Sequence, residues 1–148
     1  MTLRDTAWNL VKWKVVKERL GYTDEEMKIF RENPRNDDVL SKVPALLNKT
    51  LVLTVVESHG CNSQHKIGDR ILFDGAGNLL SKHSPEKICV YALNAAVPLI
   101  YAANELFYAG INPNQMRFRR SACIDVGVQC GGWGRVVFEL SVQDRNEA

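Results

Sequence analysis

The sequence predicts an α+β fold, in which N-terminal helices precede a small, mainly antiparallel sheet with two helices inserted between its strands. Residues 1–48 are charged, helix-like and free of cysteine, whereas most glycines, the β-branched runs and all four cysteines follow from Leu51 onward. The predicted elements run helices, strands, two helices, strands, and this order favours α+β over an alternating βαβ arrangement. We therefore expect an N-terminal helical segment at 1–48 and an α+β core domain at 49–148.

Two helices are predicted in the N-terminal segment. The first begins near Asp5 and ends at Gly21, since glycine commonly follows a helix C-terminus. The second begins after Thr23, which forms a capping box with Glu26. The next stretch, "RENPRNDDVLSKVPALLNK", is interpreted as turn and connector, because a proline disfavours helical geometry in the residue before it.

The first predicted helix is apolar on two sides. A helix needs only one apolar side to pack on its own domain, so the second side is available to another surface. At about 100° per residue, Trp13, Val16 and Leu20 form the narrower side. We expect these three residues to bind a second copy of the chain or another protein subunit. Burial of both sides within the chain, or an exposed Trp13, is the alternative. The broader side consists of Leu3, Ala7, Trp8, Leu10, Val11 and Val15.

The predicted sheet lies in the second part of the chain. "LVLTVVES" at 51–58 is apolar and β-branched, and we expect it to pair with a C-terminal strand near 135–142. "RILFDGAGNLL" predicts two short strands around a glycine turn. "RSACIDVGVQCGGWGRVVFELSVQD" predicts two further strands around a Gly-Gly-Trp-Gly turn.

Two helices are expected between these strands. The stretch "SPEKICVYALNAA" predicts a helix with Ser84 as N-cap and Pro85 at its first position. A second helix is expected from Pro98 to Gly110. Cys89 falls about one turn into the first of them, at a position typical of the core.

Composition and charge argue against two classes of function. A net charge of +2 on 148 residues is far below the basic surplus of a nucleic-acid-binding protein. No apolar run approaches the roughly 20 residues of a membrane span, and the start of the chain lacks the pattern of a signal peptide. The sequence predicts a cytoplasmic protein that binds neither nucleic acid nor membrane, with cysteines that are thiols or metal ligands.

The stretch "SHGCNSQHKIGD" at 58–69 combines a thiol and an imidazole. Cys61 and His65 are residue types that bind zinc, and other cysteines would complete the site. The preferred interpretation is a loop that enters a strand, with Gly68 at positive φ and Asp69 bonded to the local backbone. The cysteines are then buried thiols.

Nucleophilic catalysis by Cys61 or Cys123 is a further interpretation of this stretch. His59 or His65 would have to activate the thiol. The sequence supplies no recognised third group to orient the histidine and no oxyanion hole.

The helix "PLIYAANELFYAG" has a polar face that predicts a candidate pocket. Glu105 would act there as a general base if it were partly desolvated, and nearby arginines suit a small anion or an acidic partner. A solvated face is the alternative for both groups. The candidate pocket residues are Tyr101, Asn104, Glu105, Tyr108, Arg117 and Arg119.

From about Leu51 to Val142, the chain resembles a family of short, uncharacterised bacterial and archaeal proteins. The matching features are the Cys-x-x-x-His-Lys-x-Gly-Asp segment, "SPEKICVYAL", Pro98, Gly110, Cys123 followed by Asp125, and "VVFEL". The first 48 residues and "QCGGWG" fall outside the resemblance. The resemblance implies no mechanism, but it marks four pattern positions, with Cys130 as an extra: Cys61, His65, Cys89 and Cys123.

Three functions are compatible with these patterns. The preferred one is a small accessory subunit or protein-binding module of a bacterial or archaeal complex, because it accounts for the N-terminal segment. The second is a small metal-binding protein that holds zinc or iron through Cys61, His65, Cys89 and Cys123. The third is an enzyme with a pocket around Tyr101, Glu105 and Tyr108.

Overall fold

A computed structural model describes residues 3–148, apart from the side chains of Arg4 and Asp5. The chain divides into two compact units, Met1–Leu46 and Leu47–Ala148. Within the described residues the structure contains four α-helices and one four-stranded antiparallel sheet, which confirms the α+β class. None of these helices is both long and apolar enough to cross a membrane.

The first unit is built from three helices: α1 at Leu3–Leu20, α2 at Asp24–Glu32 and α3, which begins at Pro34 and runs to Leu47. The predicted capping box of α2 is confirmed. The Thr23 N–H donates to the Glu26 carboxylate at 2.8 Å, and the Glu26 N–H donates to the Thr23 hydroxyl oxygen at 3.2 Å. Because both bonds join residues three positions apart, this helix start depends on local sequence alone.

The stretch interpreted as a connector is helical, so that prediction is wrong. Pro34 is the first residue of α3, a position where the missing N–H costs nothing, and the Asn33 side chain accepts the Arg35 N–H at 3.0 Å. Pro44 lies inside the helix, between the buried residues Leu40 and Leu46. Burial of these leucines offsets the hydrogen bond that the proline removes.

The sheet of the second unit has the strand order β2–β1–β4–β3, and every neighbouring pair is antiparallel. The predicted pairing of 51–58 with the C-terminal strand is confirmed, since Lys49 of β1 pairs with Asp144 and His59 pairs with Arg135. In the predicted hairpin after Arg70, the second strand is reduced to a single bridge between Phe73 and Leu79. The strands are β1 Lys49–His59, β2 Arg70–Asp74, β3 Arg120–Ala122 and β4 Arg135–Asp144.

The two helices predicted between the strands are one continuous helix, α4 at Val90–Tyr108, which passes through Pro98. Ala95 and Leu99, on either side of the proline, are buried against the sheet, and this packing outweighs the lost hydrogen bond. Gly110 has a φ of 78° just beyond the helix, as its predicted closing role requires.

The helix also begins later than predicted, with Cys89 as its N-cap in place of Ser84. The Ser84 hydroxyl is occupied elsewhere, because it accepts the Leu72 N–H at 2.9 Å and donates to the Leu80 carbonyl at 3.0 Å. The Ser84 hydroxyl is therefore used for hydrogen bonds at the edge of β2, and α4 begins only after Cys89. This later start brings Cys89 to the end of the sheet where the other pattern residues lie.

Candidate functional site

Four sequence-predicted residues, from three separate parts of the chain, line one cleft of about 570 Å³. Cys61 and His65 come from the β1–β2 loop, Cys89 from the start of α4, and Cys123 from the residue after β3. A volume of this size is typical of sites for small molecules, roughly 300–1,000 Å³. The sheet and its covering helix thus bring together residues as far as 62 positions apart in sequence.

The β1–β2 loop has a defined shape that places His65 inside the protein. The Ser58 hydroxyl donates to the His65 carbonyl at 2.6 Å, and the Gln64 N–H donates to the Cys61 carbonyl at 3.1 Å. The predicted local roles of Gly68 and Asp69 are confirmed: Gly68 has a φ of 93°, and the Asp69 carboxylate accepts the Lys66 N–H at 2.9 Å. The preferred loop-into-strand interpretation therefore describes the backbone correctly. Its expectation of buried thiols is wrong, because Cys61, Cys89 and Cys123 are only half-buried and Cys130 is exposed.

His65 is the buried polar group of the cleft, with 3% of its surface exposed. Its ring packs edge-on against Phe138 of β4, with 6.3 Å between the centroids. Its Nε2 atom is buried and has no hydrogen-bond partner among the described residues. Because nearly all buried polar side-chain atoms in proteins find a partner, this atom is a candidate contact for a molecule bound in the cleft.

Backbone amides point at two of the cleft's sulfur atoms. The Ala92 N–H donates to Cys89 Sγ at 3.4 Å, so the thiol takes the place of the usual hydroxyl or carboxylate N-cap. The Val136 N–H donates to Cys123 Sγ at 3.3 Å. These contacts fix both sulfur atoms relative to the backbone, which is a requirement for a binding site of defined shape.

The wall formed by residues 125–134 is organised around one carboxylate. Asp125 accepts the N–H groups of Gly127 at 3.0 Å, Trp133 at 3.0 Å and Gly134 at 2.9 Å. The amide of Gly134, followed by that of Gly127, lowers the pKa of Asp125 below its ordinary value of 3.8. Gly132 is required here because a Cβ atom would collide with this carboxylate and lie 3.0 Å from the Gly127 nitrogen.

The cleft has an apolar rim as well as a buried end. Trp133 is 78% exposed at the rim, and Tyr91 and Ile124 are also exposed. The described lining residues include no lysine, arginine or glutamate. An adjoining, shallower cleft of about 510 Å³ shares His65 and Trp133 and contains the exposed Lys66.

The positions of the cysteines and His65 can be compared with those that a metal site or a catalytic Cys–His pair requires. No group of three or more His, Cys, Asp or Glu side chains is placed to hold a metal ion within the described part of the chain. Since His65 Nε2 has no hydrogen-bond partner among the described residues, no cysteine sulfur is hydrogen-bonded to that atom. The four pattern residues share a cleft without forming a closed ligand shell or a Cys–His pair through Nε2.

The residues of the predicted polar pocket lie outside the lining of this cleft. Tyr101 is exposed on α4, and burial, followed by the charge of Glu105, raises the pKa of Tyr108 above 10.0. Asn104 is half-buried on the same helix.

The two arginines assigned to that pocket have partners of their own. Arg119 lies 3.9 Å from the Glu139 carboxylate, which also accepts a hydrogen bond from Arg120 at 2.7 Å. Arg117 stacks on Phe118, with 4.4 Å between its guanidinium carbon and the ring centroid.

The residues predicted to bind a partner protein lie in the helical unit, where they differ in exposure. Val16 is buried there with Met27 and Leu40, and Trp13 is half-buried against them, whereas Leu20 is exposed. On the broader apolar side of α1, Leu3, Leu10 and Val11 are exposed. Trp8 and Val15 on the same side are half-buried, and the Trp8 indole N–H donates to the Leu40 carbonyl, so the broader side is only partly exposed to solvent within this unit.

Fold and site together define the second unit as an antiparallel sheet, covered by one helix, with a thiol- and imidazole-lined cleft at one end. Comparison with family models, with curated proteins and with solved structures finds no match to the chain. The resemblance noted from the sequence therefore remains a prediction. Among the cleft residues, the sequence analysis assigned no binding role to Asp125, Trp133 or Tyr91. The tryptophan between glycines in "GGWG" was the one sequence feature that could have indicated an aromatic residue at the rim of the cleft.

Proposed function

We propose that the unit Leu47–Ala148 is a small-molecule-binding module whose site is the cleft lined by Cys61, His65, Cys89 and Cys123. The observation that carries this proposal is the buried His65 Nε2 atom, which has no partner among the described residues although it belongs to a lining residue of a ligand-sized cleft. Leaving such an atom unpaired costs about 1–3 kcal/mol. A ligand that bonds to it recovers part of that cost.

The rigidity of the cleft supports the same proposal. The Asp125 carboxylate holds one wall through three backbone amides, and Ser58 closes the loop that carries His65. A site whose walls are fixed before binding loses little conformational entropy when the ligand enters. The rim around Trp133 supplies apolar surface of the kind that small-molecule sites use.

Fragment screening on the full-length protein tests this function. Small neutral and charged fragments are titrated into isotope-labelled protein, and we expect some of them to shift the amide signals of His65, Cys123 and Trp133. The same fragments should slow alkylation of the three cleft cysteines. Cys130, which is exposed and lies outside the cleft lining, is the internal control. Fragments that shift no cleft signal, or that protect Cys130 equally, would contradict the proposal.

Protein association through α1 is the second candidate, and it continues the accessory-subunit hypothesis. The exposed leucines favour it: Leu3 is 91% exposed and Leu10 is 82% exposed on the same side of the helix. Exposed apolar side chains that lie next to one another often mark a surface that binds another protein. We propose that this side binds a second copy of the chain or another protein subunit.

Solution mass measurements test the second candidate. Replacing Leu10 by Gln should lower the mass of an assembly or release a bound subunit, because it removes apolar area from the contact. Arg19→Gln, at an exposed position about 180° around α1 from Leu10, is the control and should change nothing. An unaltered monomeric mass for wild type and both variants would refute self-association.

A further inference from the structure

We infer that the cleft selects an uncharged aromatic alcohol, with its ring at the Trp133 rim and its hydroxyl group hydrogen-bonded to His65 Nε2. This inference rests on the proposed small-molecule-binding function and names the chemical class of the ligand.

Charge is the first property that the cleft specifies. Its described lining contains no lysine or arginine to neutralise an anion. The one lining carboxylate, Asp125, already accepts three backbone amides and is turned toward its own loop. Moving an ion from water into such a site without a partner is strongly unfavourable. Lys66 is exposed in the adjoining cleft, so an anion at that cleft would remain in contact with water.

The apolar lining of the cleft specifies the ring system of the ligand. The exposed apolar members of its lining, Trp133, Tyr91 and Ile124, are two aromatic rings and one branched aliphatic side chain. Aromatic rings bind other flat rings through stacked or edge-to-face contacts. The inner surface is formed by Val136 and Phe138, which are both buried and apolar.

One buried side-chain atom of the cleft specifies the functional group of the ligand. His65 Nε2 is the buried side-chain nitrogen without a partner in the described part of the chain. Depending on the tautomer, a neutral imidazole nitrogen either donates or accepts a hydrogen bond. A hydroxyl group satisfies both cases, because it carries one donor hydrogen and two acceptor lone pairs. The cysteine sulfur atoms nearby are weak hydrogen-bonding groups. The other polar side chains of the lining, those of Asn62, Ser63 and Tyr91, are exposed or half-buried and remain open to water, so they do not call for a second strong polar group on the ligand.

Three probes that share a methyl-substituted benzene ring test the inference on the full chain: 4-methylphenol, toluene and 4-methylbenzoate. We expect 4-methylphenol to bind in the cleft roughly ten- to a hundredfold more tightly than toluene, because only the phenol pairs with the buried nitrogen. The benzoate should bind most weakly. Dissociation constants come from amide shift titrations of the cleft residues. Equal affinity for toluene and the phenol, or tighter binding of the benzoate, overturns the inference.

Two variants test whether the His65 side chain causes the preference for 4-methylphenol over toluene. In His65→Phe, the advantage of 4-methylphenol over toluene should disappear, whereas His83→Phe, at an exposed position outside the cleft lining, should keep it. If His65→Phe does not fold, His65→Asn should keep part of the preference, and the wild-type series still decides the outcome. Cleft shifts with charged fragments alone overturn this inference and leave the proposed function standing. Absence of cleft shifts with every fragment overturns both.

Discussion

Replacing Gly134 by Ala tests the closest backbone approach in the site. The start of β4 passes so near the end of β1 that a Cβ atom on Gly134 would lie 2.7 Å from the His59 carbonyl oxygen, and closer still to that of Gly60. Optimal separation for non-bonded carbon atoms is about 3.5 Å or more. The colliding atoms belong to backbone on both sides, and no side chain can rotate away to relieve the contact.

The expected cost of Gly134→Ala follows from this geometry. Overpacking of a well-packed region costs about 1–3 kcal/mol, and a backbone collision belongs in the upper half of that range, about 2–3 kcal/mol. For a unit of about 100 residues, this loss lowers Tm by on the order of 10–20 °C. The distortion should also separate Gly134 from Asp125 and open the cleft, so that fragment binding weakens together with stability.

Hydrogen exchange of the β1 and β4 amides in increasing urea measures the effect in this unit alone. Gly110→Ala is the matched control, because its φ is 78° and a Cβ atom there would meet nothing within 4 Å. The control carries only the backbone cost of a left-handed residue, about 1 kcal/mol. Equal stability of Gly134→Ala and Gly110→Ala would show that the strands have room for the added methyl group and would contradict this prediction.

Three further outcomes are expected. Amides of β1 at 51–58 and of β4 should exchange most slowly, since β1 is central and pairs on both edges; fast exchange throughout 51–58 would contradict the described core. The pKa of Asp125 is lowered by folding, so the contribution of this carboxylate to stability is complete above about pH 3.8 and is lost as the pH falls through the lower folded pKa. Acid titration should therefore loosen the wall formed by residues 125–134. Asp125→Asn should remove this pH dependence. Cys61→Ala should cost about 1–2 kcal/mol of packing, and a chelator should leave Tm unchanged; stoichiometric zinc or iron in protein never exposed to a metal resin would instead support the metal hypothesis.

Local patterns were sufficient for several elements. The capping box at Thr23 and Glu26 and the positive φ of Gly68 each depend on residues within a few positions of one another. Their hydrogen bonds and side-chain directions are set by the backbone geometry of a single turn or strand. For these elements, the sequence predicts the structure correctly.

Prolines were the main source of error, because their effect depends on what lies around them. Pro34 begins α3, and Pro44 and Pro98 lie inside helices. A proline removes one hydrogen bond at a cost of about 3 kcal/mol. Buried neighbours such as Leu46 and Leu99 supply a comparable free energy only when another element covers them. That covering surface is not visible in the local sequence.

The candidate site shows the same division between local and tertiary information. The sequence by itself determined the α+β class, the central pairing of 51–58 with the C-terminal strand, and the residue types Cys61, His65, Cys89 and Cys123. Only the tertiary structure decided that these residues share one cleft, that His65 is buried with Nε2 unpaired among the described residues, and which apolar residues of α1 are exposed. Periodicity shows that a side of a helix is apolar, but burial depends on contacts between residues distant in sequence, and those exist only after the chain has folded.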